Sequence, residues 1–260
     1  DVKAVGCGHS WSDVGEVKKG GVLIDTRAMI RVQWCQNGVV CVQPGATVRN
    51  LTKALAARGL CIPSLPVLLR QTIGGAVSTG SHGSSLHYGT LSDFVSSVVI
   101  VTLDGERVRV LLQEDDEHDD NNEARKYLSA ARMGLGNVGV LVEIRLHVSK
   151  MYHIVRSEDM INMKHCVGEK HVGGGVASGV VAGVERIVAM ARSSEHCWVH
   201  WPVGGDHALC LRLHRCENDE QQGQKGNDDD EEEEEEGEEN IRCNDNNVIV
   251  QEIYDGRNWF

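Results

Sequence analysis

Two short segments concentrate the residue types that could do chemistry in this chain. They are Val-Gly-Cys-Gly-His-Ser-Trp, from Val5 to Trp11, and Gln-Thr-Ile-Gly-Gly-Ala-Val-Ser-Thr-Gly-Ser-His-Gly-Ser-Ser, from Gln71 to Ser85. In the first, Gly6 and Gly8 permit close backbone approach, so that the N–H groups of Gly6, Cys7, Gly8, His9 and Ser10 can converge on an anion such as a pyrophosphate. In the second, Thr72, Ser78, Thr79, Ser81 and Ser84 supply hydroxyls, while Gly74, Gly75, Gly80 and Gly83 remove side chains that would obstruct a ligand. Each segment also carries one histidine, His9 or His82, able to stand beside a ring system. The plainer readings are a solvent-exposed loop residue for His9 and a structural, hydrogen-bonded one for His82.

Other motifs carry less. Gly134-Leu-Gly136-Asn-Val-Gly139 is a literal G-x-G-x-x-G. The dinucleotide fingerprint needs a strand before it and a helix after it. Here the order is reversed, so the segment reads as a glycine turn near another part of a ligand. The Gly173–Gly175 run lacks the lysine and hydroxyl of a P-loop. Ser10, Ser12 and Asp13 beside His9 have no nucleophile elbow, which argues against a hydrolase. Nine cysteines at irregular spacing contain no C-x-x-C pair. They predict free, mostly buried thiols and no metal site.

The elements that must position these residues follow from pattern. Val2–Val5 reads as a strand feeding the first glycine loop, and Gly21–Asp25 and Val39–Val42 as buried strands. Pro44-Gly45-Ala46 turns the chain, and Thr47 caps a helix that carries Val48, Leu51, Ala54 and Leu55 on one face and stops at Gly59. Asp104-Gly105 predicts a two-residue hairpin between Val95–Leu103 and Arg107–Leu111. A helix over Glu123–Met133, a strand over Val140–Val148, and a strand pair at His196–Trp201 and Ala208–Leu213 complete the reading. No internal repeat is present.

The formal charge of −12 comes from two inserts. Asp228–Glu239 holds eleven acids in twelve residues and Glu114–Glu123 seven in ten; without these 18 of the 38 acids, 26 basic residues face 20 acidic ones, a formal +6. The remainder suits an anionic ligand. Aromatics are scarce and no basic cluster is interleaved with them, which excludes a nucleic-acid interface. No run of about eighteen apolar residues spans a membrane. The region 217–247 cannot bury enough apolar surface to fold and reads as a disordered acidic insert. The opening residues read as a core strand without a presequence, as in a fragment.

Four motifs in order carry a resemblance: V-G-C-G-H-S-W-S-D, V-C-V-Q-P-G-A-T, R-Q-T-I-G-G-A-V-S-T-G-S-H-G-S-S and A-A-R-M-G-L-G-N-V-G-V-L-V-E-I-R-L. From Val2 to about Val148 the chain resembles the sugar-lactone oxidoreductases of the vanillyl-alcohol-oxidase flavoprotein superfamily. These include L-gulonolactone and D-arabinonolactone oxidases, plant galactonolactone dehydrogenase and bacterial alditol oxidase. A weaker echo is His196-Cys-Trp-Val-His-Trp-Pro202, similar to the strand that opens the family's substrate domain.

The resemblance implies an α+β chain: an N-terminally truncated, two-subdomain PCMH-type FAD-binding domain over residues 1–149, then the start of an α+β substrate domain over 150–260. It implies FAD as cofactor. His9 becomes the candidate covalent attachment point, through the C8α methyl of the flavin. Thr72, Gly75, Thr79, Gly80, Ser81 and His82 match the FAD-contacting loop, and Gly139 and Val142 the segment near the adenylate.

The implied reaction is oxidation of an aldono-1,4-lactone to ascorbate or an analogue, with O2 as acceptor and H2O2 as product; Pro66 falls where small residues accompany oxygen use. The alternatives are a dehydrogenase passing electrons to cytochrome c, an alditol oxidase, or a non-catalytic remnant whose acidic insert binds a basic partner. The catalytic and lactone-binding residues are expected outside this chain. An intracellular site is expected, with peripheral membrane or mitochondrial association as in relatives.

Overall fold

A computed structural model of the chain describes residues 2–35, 37–111, 122–163, 178–202 and 205–216. Both acidic inserts, apart from Asn122 and Glu123 at a helix start, and the Gly173–Gly175 run lie outside the described residues. The chain divides into one unit running to Met151 and another beginning at Tyr152.

The first unit contains β1 (Val2–Val5), β2 (Val22–Asp25), β3 (Val32–Trp34), β4 (Val39–Val42), α1 (Val48–Ala56), β5 (Leu60–Cys61), α2 (Ile73–Ser78), β6 (Val95–Val101), β7 (Arg107–Leu111), α3 (Asn122–Arg132), β8 (Val140–His147) and β9 (Ser149–Lys150). β1 and β2 pair in parallel, from Val2 opposite Val22 to Val5 opposite Asp25. A five-stranded antiparallel sheet has the order β3-β4-β8-β6-β7. Alternation along its strands sends Val40 and Val42, Val98 and Ile100, and Ile144 and Leu146 into one core with Leu51 and Leu55 of α1, Ile73 and Val77 of α2, and Leu128 of α3. Each such side chain contributes about 1.5–3 kcal/mol on burial.

The expected cap is present: Thr47 Oγ1 accepts from the Asn50 N–H at 3.1 Å, and Gly59 ends the α1 region at φ +65°. Gly139 closes the turn between α3 and β8 at φ +125°, where a β-carbon would stand 2.6 Å from the Val101 carbonyl oxygen. Helix before and strand after confirm that this segment is no dinucleotide fingerprint.

Three expectations change. β2 is exposed rather than buried: Val22 and Leu23 are 54% and 49% accessible, because β1 is its one partner strand and no layer covers it among the described residues. The hairpin has a longer loop than two residues. Thr102 N–H donates to the Glu106 carbonyl at 2.9 Å and Gly105 N–H to that of Thr102 at 3.0 Å, leaving Leu103-Asp104-Gly105 as the loop with Gly105 left-handed. The thiols of Cys7, Cys35, Cys41, Cys61, Cys197 and Cys210 are free, but of these Cys41 and Cys210 alone are buried, and Cys216 is disulfide-bonded.

The second unit contains β10 (Ile154–Asn162), α4 (Ser178–Arg192), β11 (His196–His200) and β12 (His207–Arg215). Its antiparallel sheet has the order β10-β12-β11. Ile161, Met163, Ala208 and Cys210 form its core, with Ile187 and Met190 of α4 packed on them. No described helix is long and apolar enough to cross a membrane.

Candidate functional site

The loop after β1 lies against the start of α2. A β-carbon on Gly6 would stand 2.0 Å from Thr72 Oγ1, so only glycine lets the loop reach that depth. The start of α2 is fixed from behind: Ile73 N–H donates to the Ala46 carbonyl at 2.7 Å and Gly74 N–H to that of Pro44 at 2.8 Å. Gly74 is a packing residue, since a β-carbon there would meet Pro44 Cβ at 2.7 Å. Thr26 Oγ1 donates to the Val5 carbonyl at 3.0 Å, and Lys3 Nζ to that of Val14 at 2.9 Å, which ties β1 and the turn at Asp13–Gly15 together.

These elements enclose a cleft of about 680 Å3, within the size range of small-molecule sites. Gly6, Cys7, Gly8, His9, Ser10, Thr72, Gly75, Thr79 and Gly139 line it. The sequence-predicted residues of three separate segments thus share one wall system. Gly80, Ser81, His82 and Val142 do not line it. Ser81 Oγ donates to Gln71 Oε1 at 3.1 Å, His82 Nδ1 lies 2.7 Å from the Gly83 carbonyl oxygen, and Gly80 packs against Met133. They shape the return of the chain behind α2. Val142 lies beyond Leu141 along β8 and lines a separate cleft, whereas Leu141 lines this one.

The donor set suits an anionic, hydroxyl-rich ligand. Among the described residues the backbone N–H groups from Gly6 to Trp11 have no hydrogen-bond partner. Thr72 is 3% exposed and occupies the N-cap of α2, yet its hydroxyl makes no capping bond. Thr79 Oγ1 instead turns back to the Gly75 carbonyl at 2.9 Å. At the end of β2, Arg27 holds Asp25 in a two-pronged ion pair and pulls its carboxyl down to about 2. A run of unpartnered N–H groups, a spare hydroxyl on the buried residue Thr72 and a glycine-lined wall fit a pyrophosphate-bearing cofactor. Leu135 and Gly136, within the Gly134–Gly139 turn that the sequence places near a ligand, also line the cleft, as does Thr26, which nothing in its local spacing marks.

Residues 1–111 match the family described as an FAD binding domain. A long-chain alcohol oxidase of an uncultured marine euryarchaeote is 31% identical over 156 residues, 59% of this chain and 30% of that protein. D-arabinono-1,4-lactone oxidase of Eremothecium gossypii is 30% identical over 167 residues, covering 63% of this chain and 30% of that protein. L-gulono-1,4-lactone dehydrogenase of Mycobacterium tuberculosis is 34% identical over 159 residues, 60% of this chain and 34% of that protein. The chain therefore spans about a third of the length of the curated relatives it matches. Cholesterol oxidase of Brevibacterium sterolicum superposes with a TM-score of 0.63 at 17% identity, covering 82% of this chain and 40% of that one. The likeness shows the fold, an α+β PCMH-type FAD-binding architecture.

Proposed function

We propose that this chain, residues 1–111 of which are an FAD binding domain, is part of an oxidoreductase that oxidises a hydroxyl group of a sugar-like substrate. Bound FAD supplies the two-electron redox chemistry that no side chain offers. The cleft's own residues bind and orient it. The N–H groups of Gly6 to Trp11 receive its diphosphate, the Thr72 hydroxyl adds a neutral donor or acceptor, and the glycines admit the ligand close to backbone. The observation that carries this reading is that the unpartnered N–H run and the uncapped Thr72 hydroxyl belong to the same cleft.

His9, half-buried in the wall of that cleft, is the residue we assign to covalent attachment of the flavin. A neutral imidazole is a competent nucleophile and would prevent cofactor loss. The substrate class we favour is an aldono-1,4-lactone, supported by the names of two of the relatives above. The acceptor we favour is O2, with H2O2 as product. A dehydrogenase that passes its electrons to a protein acceptor is the second reading, favoured by the mycobacterial relative.

Acid precipitation of the full chain expressed with FAD, followed by mass analysis of the His9 peptide, tests the attachment. A peptide carrying the flavin mass supports it, and an unmodified peptide with FAD in the supernatant defeats it. Anaerobic reduction followed by mixing with O2 separates the two acceptors. Rapid reoxidation with stoichiometric H2O2 supports the oxidase, and slow reoxidation supports the dehydrogenase.

A further inference from the structure

The five-stranded sheet packs its helices on one face, and its opposite face carries a concentration of arginine. Arg145 and Glu143 come from β8, Arg107 and Arg109 from β7, and Arg31 immediately precedes β3. Glu143, whose side chain is 19% exposed, lies 3.1 Å from Arg109, 3.3 Å from Arg145 and 4.0 Å from Arg107. One carboxylate thus gathers three guanidinium groups. Arg31 has no carboxylate partner among the described residues, and its backbone N–H is fixed by Gln43 Oε1 at 3.0 Å. Arg31 starts from one edge of the sheet and Arg107 from the other, yet both line a single cleft of about 380 Å3 with Gln43, Val142 and Glu143.

An ordinary solvated face mixes charges of both signs. Among the described residues of this face four cations meet one anion; Arg31 and Arg107 line the cleft, while Arg109 and Arg145 are held beside it by Glu143. The positive surplus of the face, with Arg31 and Arg107 in the cleft wall itself, favours a multiply charged anion there. Guanidinium groups approaching from two sides match the paired oxygens of phosphate groups. A singly charged anion would leave most of the repulsion in place.

We propose that this cleft is a second anion site, separate from the cofactor cleft, which takes a compact soluble molecule bearing two or more adjacent phosphate groups. The site needs neither His9 nor Thr72, so it stands or falls independently of the cofactor reading.

Calorimetric titration of the full chain with inorganic diphosphate, with and without added FAD, is the test. With FAD filling the cofactor cleft, one saturable site per chain is expected, weakening as salt rises. Arg31→Gln and Arg107→Gln, both at exposed residues, each lower the affinity about tenfold with unchanged circular dichroism and melting temperature. Arg70→Gln, at an exposed arginine elsewhere, leaves the affinity unchanged. The proposal is overturned by absence of saturable binding at about 1 mM diphosphate, or by equal affinity in the Arg31→Gln/Arg107→Gln double variant. Loss of binding on FAD loading, or binding to phosphatidic acid vesicles without binding of soluble diphosphate, overturns it as well.

Discussion

The backbone of Gly6 and the side chain of Thr72 are in direct apposition: any β-carbon on Gly6 would stand 2.0 Å from Thr72 Oγ1 and 3.0 Å from Thr72 Cβ. Sixty-six positions separate them in sequence, and their contact is what makes one cleft of two glycine-rich segments. Thr72 cannot move away freely, because Ile73 and Gly74 are hydrogen-bonded to the Pro44–Ala46 turn behind it.

Gly6→Ala should therefore overpack this junction. We expect a loss of about 1–3 kcal/mol in stability, seen as a lower urea midpoint, together with weaker FAD binding in a fluorescence titration. An alanine variant with wild-type affinity and midpoint would show that the loop does not need its close approach.

Thr72→Val keeps shape and removes the hydroxyl. Because that hydroxyl makes no capping bond, the fold should be little affected. FAD affinity should fall by about 1 kcal/mol, or roughly fivefold. A melting temperature that falls with no change in affinity would assign Thr72 a structural role instead.

Leu51 of α1 and Ile144 of β8 are 1% and 0% exposed and pack in the same core. Leu51→Ala should destabilise by about 2–5 kcal/mol, measured by urea unfolding of the full chain. A loss below about 1 kcal/mol would mean that the helix layer is not seated on the sheet as described.

Burial, and then the neighbouring Arg212, push the His214 imidazole below its ordinary range. The unfolded chain then takes up a proton near pH 6.5 that the folded one refuses. His214 therefore contributes stability that is full above that pH and declines as pH falls from there toward the folded value. Urea midpoints at about pH 7.5 and about pH 5.5 should differ more in wild type than in His214→Gln. Equal pH dependence in the two proteins would contradict this.

Much of the first unit was legible because local and tertiary signals agree. A β-branched run bounded by Gly38 and Pro44 marks β4, and the Thr47 cap and Gly59 stop bound the α1 region. α2 was not legible, since Gly74 and Gly75 disfavour a helix. It forms because Ile73, Ala76 and Val77 are buried and its first N–H groups are accepted by the turn behind it. β5 and β9 are two residues each and leave no periodic trace. In the site, the ligand-bordering residues of both glycine segments could be named from type and spacing. Which of them face the cleft could not: Ser81 and His82 share the composition of Thr79 but are turned aside by bonds to Gln71 and Gly83. The arginine face had no sequence signature at all, because Arg31, Arg107 and Arg145 meet only through strand order.

The central claim is that the cleft between the Gly6–Trp11 loop and Thr72 holds FAD. Its most direct test is fluorescence titration of the refolded, flavin-free full chain with FAD, beside Gly6→Ala. The account predicts one FAD bound per chain, retained through gel filtration, with affinity clearly weakened in the variant. A folded wild-type chain that binds no FAD, or a variant that binds it equally well, would contradict the account.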